Sequence, residues 1–340
     1  MRMTELQTQM DLEHDATERL NATPEQSNHS SSPVSFIFHD IGYYLSHKML
    51  LSELVACLVI AALGHIAPEA IFRMSIYQRD IPYVRTQNGD VILDQYINRP
   101  KVESETVSDT VLILVAIVVP IVITLAVGYI SKKHRMYEMH SSFCAILFAL
   151  GSCMFLTNMI KLYCGYFRPN FYNLCEFDTD TMDCQGDDSN LSQSRKSFPS
   201  GHASTSFCGM TFLTLLFLGK VGLHNRSDSN GGKWNMSTLQ TMKRRWLSVL
   251  VSTPMFIAIF IAVSRVHDDM HHPADVAFGS MIGFSTAYFA YGLWYSNLQS
   301  EYAGYSLLTR WELSRVMSDV VQSSHGSSSQ RPLQIESTQT

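Results

Sequence analysis

The sequence predicts an all-α fold, a polytopic membrane helical bundle with six transmembrane helices, and three observations carry that reading. Six apolar stretches of roughly 17–21 residues are nearly free of charge, long enough at 1.5 Å per residue to cross a hydrocarbon core about 30 Å thick. Lys and Arg concentrate in alternate loops between them. Both chain ends are rich in Ser, Thr and Gln and poor in apolar side chains. The totals decide less, because 340 residues with 46% hydrophobic residues and a net charge of −5 would equally suit soluble domains.

In chain order the spans run Met49–Ala67, Thr110–Ile130, Ser141–Ile160, Ala203–Gly219, Leu247–Val263 and Val276–Leu293. Residues 1–33 are polar and acidic with no apolar centre, so no cleavable signal peptide is expected and the first span serves as the insertion signal. Residues 34–45, with Phe36, Ile37, Phe38, Ile41, Tyr43 and Tyr44, suit either an interfacial helix or an extension of the first span. Residues 1–32 and 322–340 cannot bury enough apolar surface to offset ordering entropy and are expected to be disordered, which makes 1–33 a disordered cytosolic tail and 297–340 a largely disordered one. The six-span domain is then 34–296.

Charge sets the orientation. The second-to-third loop carries Lys132, Lys133 and Arg135 against Glu138, and the fourth-to-fifth carries Lys220, Arg226, Lys233, Lys243, Arg244 and Arg245 against Asp228. Basic short loops stay in the cytosol, so both termini are expected there. The remaining loops hold at least as many acids as bases and face the lumen or the exterior. On that side the sequon at Asn190 is a glycosylation candidate, whereas those at Asn21, Asn28, Asn225 and Asn235 would face the cytosol and stay bare.

Seven cysteines form two groups. Cys57, Cys144, Cys153 and Cys208 lie in apolar spans, where a thiol is most often a small packing group. Cys164, Cys175 and Cys184 share one outward loop, where Cys175 with Cys184 is the shorter closure and one thiol is left over. Which one is left over stays open.

Three polar clusters flank spans on the outward side. In the first, Lys161 and Arg168 are close to two helical turns apart, which would put both cations on one face and suit a dianionic phosphate. Taken alone, a base at a span end is usually an interfacial anchor. In the second, Pro199, Ser200, Gly201 and His202 open the fourth span. Backbone N–H groups at a helix start form an anion site, the Ser200 hydroxyl can donate to the same oxygen, and His202 can give a proton to a leaving alkoxide. A capping Ser and an interfacial His would read the same.

The third cluster, residues 264–275, links the fifth and sixth spans. His271 and Asp275 stand four apart, so the carboxylate can reach one imidazole nitrogen and leave the other free to attack phosphorus. Arg265 adds a third cation. Three His and three Asp in this stretch could instead ligate zinc, but the paired spacing of a zinc helix is lacking. His267 and His272 read as polar loop residues. All three clusters reach the same membrane face. Together they supply cations, amide donors, a nucleophile with its orienting carboxylate, and an acid.

In order and spacing, Lys161 with Arg168-Pro169, then Pro199-Ser200-Gly201-His202, then Ser264-Arg265 with His271 and Asp275 resembles the three-part signature of the type 2 phosphatidic acid phosphatases, in their six-span lipid phosphate phosphatase branch. The resemblance covers roughly residues 41–296. It implies a phosphoric monoester hydrolase of phosphatidate, lysophosphatidate, ceramide phosphate and sphingoid base phosphates that works through a phosphohistidine. His271 would be the nucleophile, Asp275 its orienting group, and His202 the acid and later the base. Lys161, Arg168, Arg265, Ser200 and the Gly201 amide would hold the phosphate. No cofactor or catalytic metal and no nucleic acid partner are expected, and homo-oligomerisation stays open, as does the choice between plasma membrane and endomembrane. The alternatives are a catalytically silent lipid-binding relative of the same fold and a phosphatase for a non-lipid ester. A transporter would need charge at mid-span, whereas Glu53, the charge read within a span, lies near its cytosolic end.

Overall fold

The computed structural model describes residues 48–71, 75–131, 135–221, 238–300, 302–311 and 314. The chain ends 1–47 and 315–340, including the 34–45 segment and the sequons at Asn21 and Asn28, lie outside the described residues, as do the sequons at Asn225 and Asn235. The described residues between 48 and 307 form one compact unit, and 308–311 and 314 fall outside it.

The elements are α1 (Lys48–Ile66, continued by a π turn Ala67–Ile71), a hairpin β1 (Tyr83–Arg85) and β2 (Val91–Leu93), α2 (Asp109–Ile113), a π turn Leu114–Val118, and α3 (Val119–Ile130). Then come α4 (Arg135–Cys164), α5 (Phe171–Leu174), a second hairpin β3 (Phe177–Asp178) and β4 (Asp183–Cys184), and α6 (Asp188–Ser194). The chain continues as α7 (Gly201–Val221), α8 (Thr238–Val251), α9 (Thr253–His267) and α10 (Pro273–Trp294). Both hairpins are antiparallel, with Tyr83 opposite Leu93 and Phe177 opposite Cys184.

Among the described residues six helices are long and apolar enough to cross a membrane, at Met49–Ala70, Asp109–Ile130, Arg135–Cys164, Gly201–Val221, Arg245–His267 and Pro273–Trp294. They coincide with the six expected spans and make the chain an integral membrane protein. The central helix is α7, which packs on α10, α9, α4 and α3, while α1 lies on α4. The core joins Ala145, Ile146, Ala149 and Cys153 of α4 to Cys208, Phe212 and Leu216 of α7 and to Ala287, Ala290 and Tyr291 of α10. Val55, Leu58 and Val59 of α1, Val118 and Val122 near α3, and Phe256 and Phe260 of α9 point outward, as lipid-facing side chains do.

Local chemistry explains several element ends. Pro120 has no N–H to donate to the Ala116 carbonyl, and the chain adjusts through the π turn just before it. Gly165 takes φ 52° where the chain leaves α4, a left-handed conformation that glycine adopts without Cβ strain. Pro273 opens α10, and the Asp275 side chain accepts the backbone N–H of His272 at 2.8 Å to complete a capping box.

Glu138 needs correcting. Expected in a cytosolic loop, it sits fully buried in the first turns of α4. It pairs with Lys220 of α7 at 2.6 Å and accepts the Ser306 amide at 2.8 Å. The spans therefore hold this ion pair as well as Glu53. A paired carboxylate avoids the desolvation cost that an isolated one would meet there.

Candidate active site

The C-terminal turn of α4, the starts of α2, α7 and α10, and the end of α9 meet at one end of the bundle around a cavity of about 660 Å³. Lys161, Arg168, Gly201, His202, Arg265 and His271 all line it. Ser200 and Asp275 do not; both are buried in the layer behind its wall.

Asp275 is the hub of that layer. Its Oδ2 accepts the Ser197 hydroxyl at 2.6 Å and the His272 amide at 2.8 Å, and the His272 Nδ1 stands 3.3 Å away. His271 Nδ1 lies 3.7 Å from the same oxygen, beyond hydrogen-bond length. His271 precedes the His272 cap of α10, so the helical spacing expected between His271 and Asp275 does not hold; its ring still lies beside Asp275, but His272 is the nearer ring. It is not a polar loop residue: it is buried, caps α10, stacks on Tyr96 at 5.5 Å and meets the Tyr166 ring edge-on at 5.4 Å. The sequence signal that could have exposed this role is Pro273 at the first helical position, which makes the residue before it the cap.

Lys161 reaches over the start of α7, its Nζ 3.8 Å from where a Cβ on Gly201 would stand. The same ammonium donates to the Lys196 carbonyl at 3.1 Å. Arg168 is brought back by the turn at Gly165, and its Nε donates to the Gln193 carbonyl at 2.8 Å. Ser200 caps α7, its hydroxyl oxygen accepting the Ala203 amide at 3.4 Å, while its own amide donates to the Asp275 carbonyl at 3.0 Å. That last bond ties the start of α7 to the start of α10. Of the helix-start amides expected to be free, the one on Ser200 is therefore occupied.

Arg265 is 1% exposed, and acids hold its fork: Glu105 at 2.8 Å on one side and Asp268 at 2.8 Å on the other. Asp268 is steadied in turn by the Thr106 amide and hydroxyl at 2.9 and 2.6 Å. His202 Nε2 is 3.6 Å from Asp109 Oδ1. Thus Glu105, Thr106 and Asp109, from the first outward loop and the start of α2, border the site without belonging to any cluster in the sequence. No local pattern marks them, since they arrive by folding from about 100 residues or more away.

Burial pushes the His271 imidazole down to about 3, against the nearby Asp275 carboxylate, which raises it. At neutral pH the ring is uncharged with a lone pair to offer. Asn190 stands in α6 at the cavity rim, one turn before Gln193. Cys175 and Cys184 are joined as a disulfide across the base of the second hairpin, their Cα atoms 5.2 Å apart, which leaves Cys164 as the free thiol of that loop.

The fold and site together define a polytopic helical membrane protein with a cationic, histidine-lined oxyanion cavity at one end of its bundle. Residues 142–299 match the model of the PAP2 superfamily. The chain is 34% identical over 182 residues to Lipid phosphate phosphatase 1 of Arabidopsis thaliana, covering 52% of this chain and 51% of the relative. It is 33% identical over 177 residues to Probable lipid phosphate phosphatase 4 of the same plant, covering 50% and 53%. To Diacylglycerol pyrophosphate phosphatase 1 of Saccharomyces cerevisiae it is 29% identical over 212 residues, covering 59% and 68%. The chain spans about half the length of the first curated relatives it matches. No solved structure matches it.

Proposed function

We propose that this chain removes phosphate from lipid phosphate monoesters, phosphatidate, lysophosphatidate and related sphingolipid phosphates, without a catalytic metal and through a phosphohistidine. The observation that carries this reading is the convergence of Lys161, Arg168, Arg265, His202 and His271 on one cavity. The catalytic unit is the six-span domain, 34–296.

The Nε2 lone pair of His271 attacks phosphorus while the P–O bond to the lipid alcohol breaks in line. Asp275 holds Nδ1 and stabilises the charge that develops on the ring. His202, bearing a proton on its ring, passes it to the departing alkoxide and becomes the base. It next takes a proton from water, whose oxygen attacks the phosphohistidine; the P–N bond breaks, inorganic phosphate leaves and His271 is neutral again. Lys161, Arg168, Arg265 and the Gly201 amide hold the phosphoryl oxygens, preorganised where the transition state spreads its charge, while Ser200, expected among them, is buried behind the wall and caps α7. Phosphate reaches Arg265 by displacing Glu105, the more exposed of its two carboxylate partners. The 3.7 Å gap between His271 and Asp275 closes on substrate, as catalytic hydrogen bonds commonly do.

The site faces the lumen or exterior of a plasma membrane or endomembrane, with both termini in the cytosol, as the basic loops require. A lipid then presents its headgroup to the cavity without leaving the bilayer. A second reading, lipid diphosphates, is favoured by Lys101 and Lys196, which add two ammonium groups to the same cavity wall. The Saccharomyces relative's name points the same way.

The test is release of inorganic phosphate from phosphatidate and from diacylglycerol pyrophosphate in detergent micelles with no metal added. Release by the wild type, lowered at least about 10³-fold in His271→Ala, is the expected result. Comparable release by that variant rules out the nucleophile, and no release by either protein favours the silent relative.

A further inference from the structure

At the other end of the bundle, α1 and α4 bring a second set of reactive side chains together. Glu53, His140 and Cys144 each offer one donor atom, and these atoms all lie within 4.8 Å of one another. His140 Nε2 is 3.1 Å from Glu53 Oε2 and 3.7 Å from the Cys144 sulfur. Cys57 follows Glu53 by one helical turn on α1, and its thiol interacts with that of Cys144, although its sulfur stands outside the mutual 4.8 Å set. The pattern is thus repeated on two helices: a carboxylate or imidazole, then a thiol four residues on. His140, Cys144 and Cys57 are at most 5% exposed.

We propose that Glu53, His140 and Cys144 form a structural zinc site that clamps α1 to α4, with Cys57 turning in from beside Cys144 as the fourth ligand. Zinc–sulfur and zinc–nitrogen bonds of about 2.3 and 2.05 Å at a tetrahedral angle put sulfur and nitrogen about 3.6 Å apart. Nitrogen and oxygen come out about 3.3 Å apart by the same construction. The measured 3.7 and 3.1 Å differ from these by no more than a small side-chain adjustment. The layer around the donors fits as well. The Trp294 indole of α10 donates to Glu53 Oε1 at 2.6 Å, which fixes the carboxylate and leaves Oε2 turned to the imidazole. Binding releases the two thiol protons, and the metal takes one bond each from two thiolates, the neutral imidazole and the carboxylate. His140 and Lys161 are roughly 32 Å apart along α4 at 1.5 Å per residue, so the clamp is remote from the cavity and takes no part in its chemistry.

The test is zinc content by mass spectrometry on the full chain purified in detergent without chelator, with cobalt(II) added to metal-free protein as an optical probe. The expected results are about one zinc per chain and a thiolate-to-cobalt charge-transfer band. Both should be lost in Cys144→Ser and weakened in Cys57→Ser. Metal-free wild type that gives no such band overturns the proposal, as does a Cys57–Cys144 disulfide in non-reducing peptide mapping. Zinc retained undiminished in Cys144→Ser also overturns it, since the metal would then sit elsewhere, as in the His-rich 267–272 stretch. Should Cys144→Ser not fold, His140→Gln, which keeps an amide nitrogen near the imidazole position, is read by the same two measurements.

Discussion

His271 answers two opposed demands. Phosphate needs cations close by, yet the attacking ring must stay neutral. Burial, with Arg168 and Lys161 adding to it, takes the ring down to about 3, so in the proposed function the cations offered to phosphate would also keep the proposed nucleophile deprotonated. The same shift makes stability depend on pH. Its folded value lies below the ordinary 6.5, so the unfolded chain takes up the proton first as pH falls. The penalty is nil above about pH 6.5 and grows by about 1.4 kcal/mol per unit between there and pH 3. Thermal denaturation from pH 7.5 to 4.5 should therefore show a shallower loss of stability in His271→Gln than in the wild type; parallel curves would contradict a buried neutral ring. His272→Phe keeps the stack on Tyr96 while removing the nitrogen beside Asp275. It should lower kcat about 10-fold, as loss of a supporting partner does, and leave KM little changed. His202→Ala should lower kcat by about 10²–10⁴, the usual worth of a positioned acid.

At the scale of elements, the site depends on how closely α7 and α10 approach. Gly279 and Gly283 of α10 face the first turns of α7, and a Cβ on Gly279 would stand 2.5 Å from the Ser200 carbonyl oxygen. That contact lies beside the Ser200 amide bond to the Asp275 carbonyl, so separating the helices displaces the capping Ser and the orienting Asp together. Gly279→Ala is expected to destabilise by about 1–3 kcal/mol and to lower kcat. Gly292, on the same helix with nothing within 4 Å, is the control. Gly292→Ala should leave kcat unchanged and the melting temperature equal or slightly higher. Equal effects at both positions would show that helix propensity and not close approach is at work.

For the whole molecule, the informative variable is orientation. The helix ends that build the cavity all lie at one end of the bundle, and Glu53, His140, Glu138 and Lys220 gather near the other. Asn190 at the cavity rim reports which side that end faces. Glycosidase treatment of protein made in a eukaryotic membrane should increase the mobility of the wild type and leave Asn190→Gln unaltered. Without a shift in the wild type, the outward placement of the cavity loses its support.

Much of the chain declares itself locally. Spans are legible because every backbone polar group in a hydrocarbon layer must be satisfied within the helix, which leaves long apolar runs as the only solution. Lys161, Arg168, His202, Arg265 and His271 are legible because the roles proposed for them require a fixed residue type at a helix end, and helical spacing relates neighbours in the chain. Other features have no such local mark. That His272 lies nearer Asp275 than His271 does, that Glu105 and Asp268 occupy Arg265, and that Glu138 is buried against Lys220 all depend on which helix packs on which. The same holds for the approach of Glu53 to His140 and Cys144. Periodicity fixes the face a residue occupies on its own helix, whereas partners across helices are set by ridge-and-groove packing and close glycine contacts, and only the tertiary structure decides those.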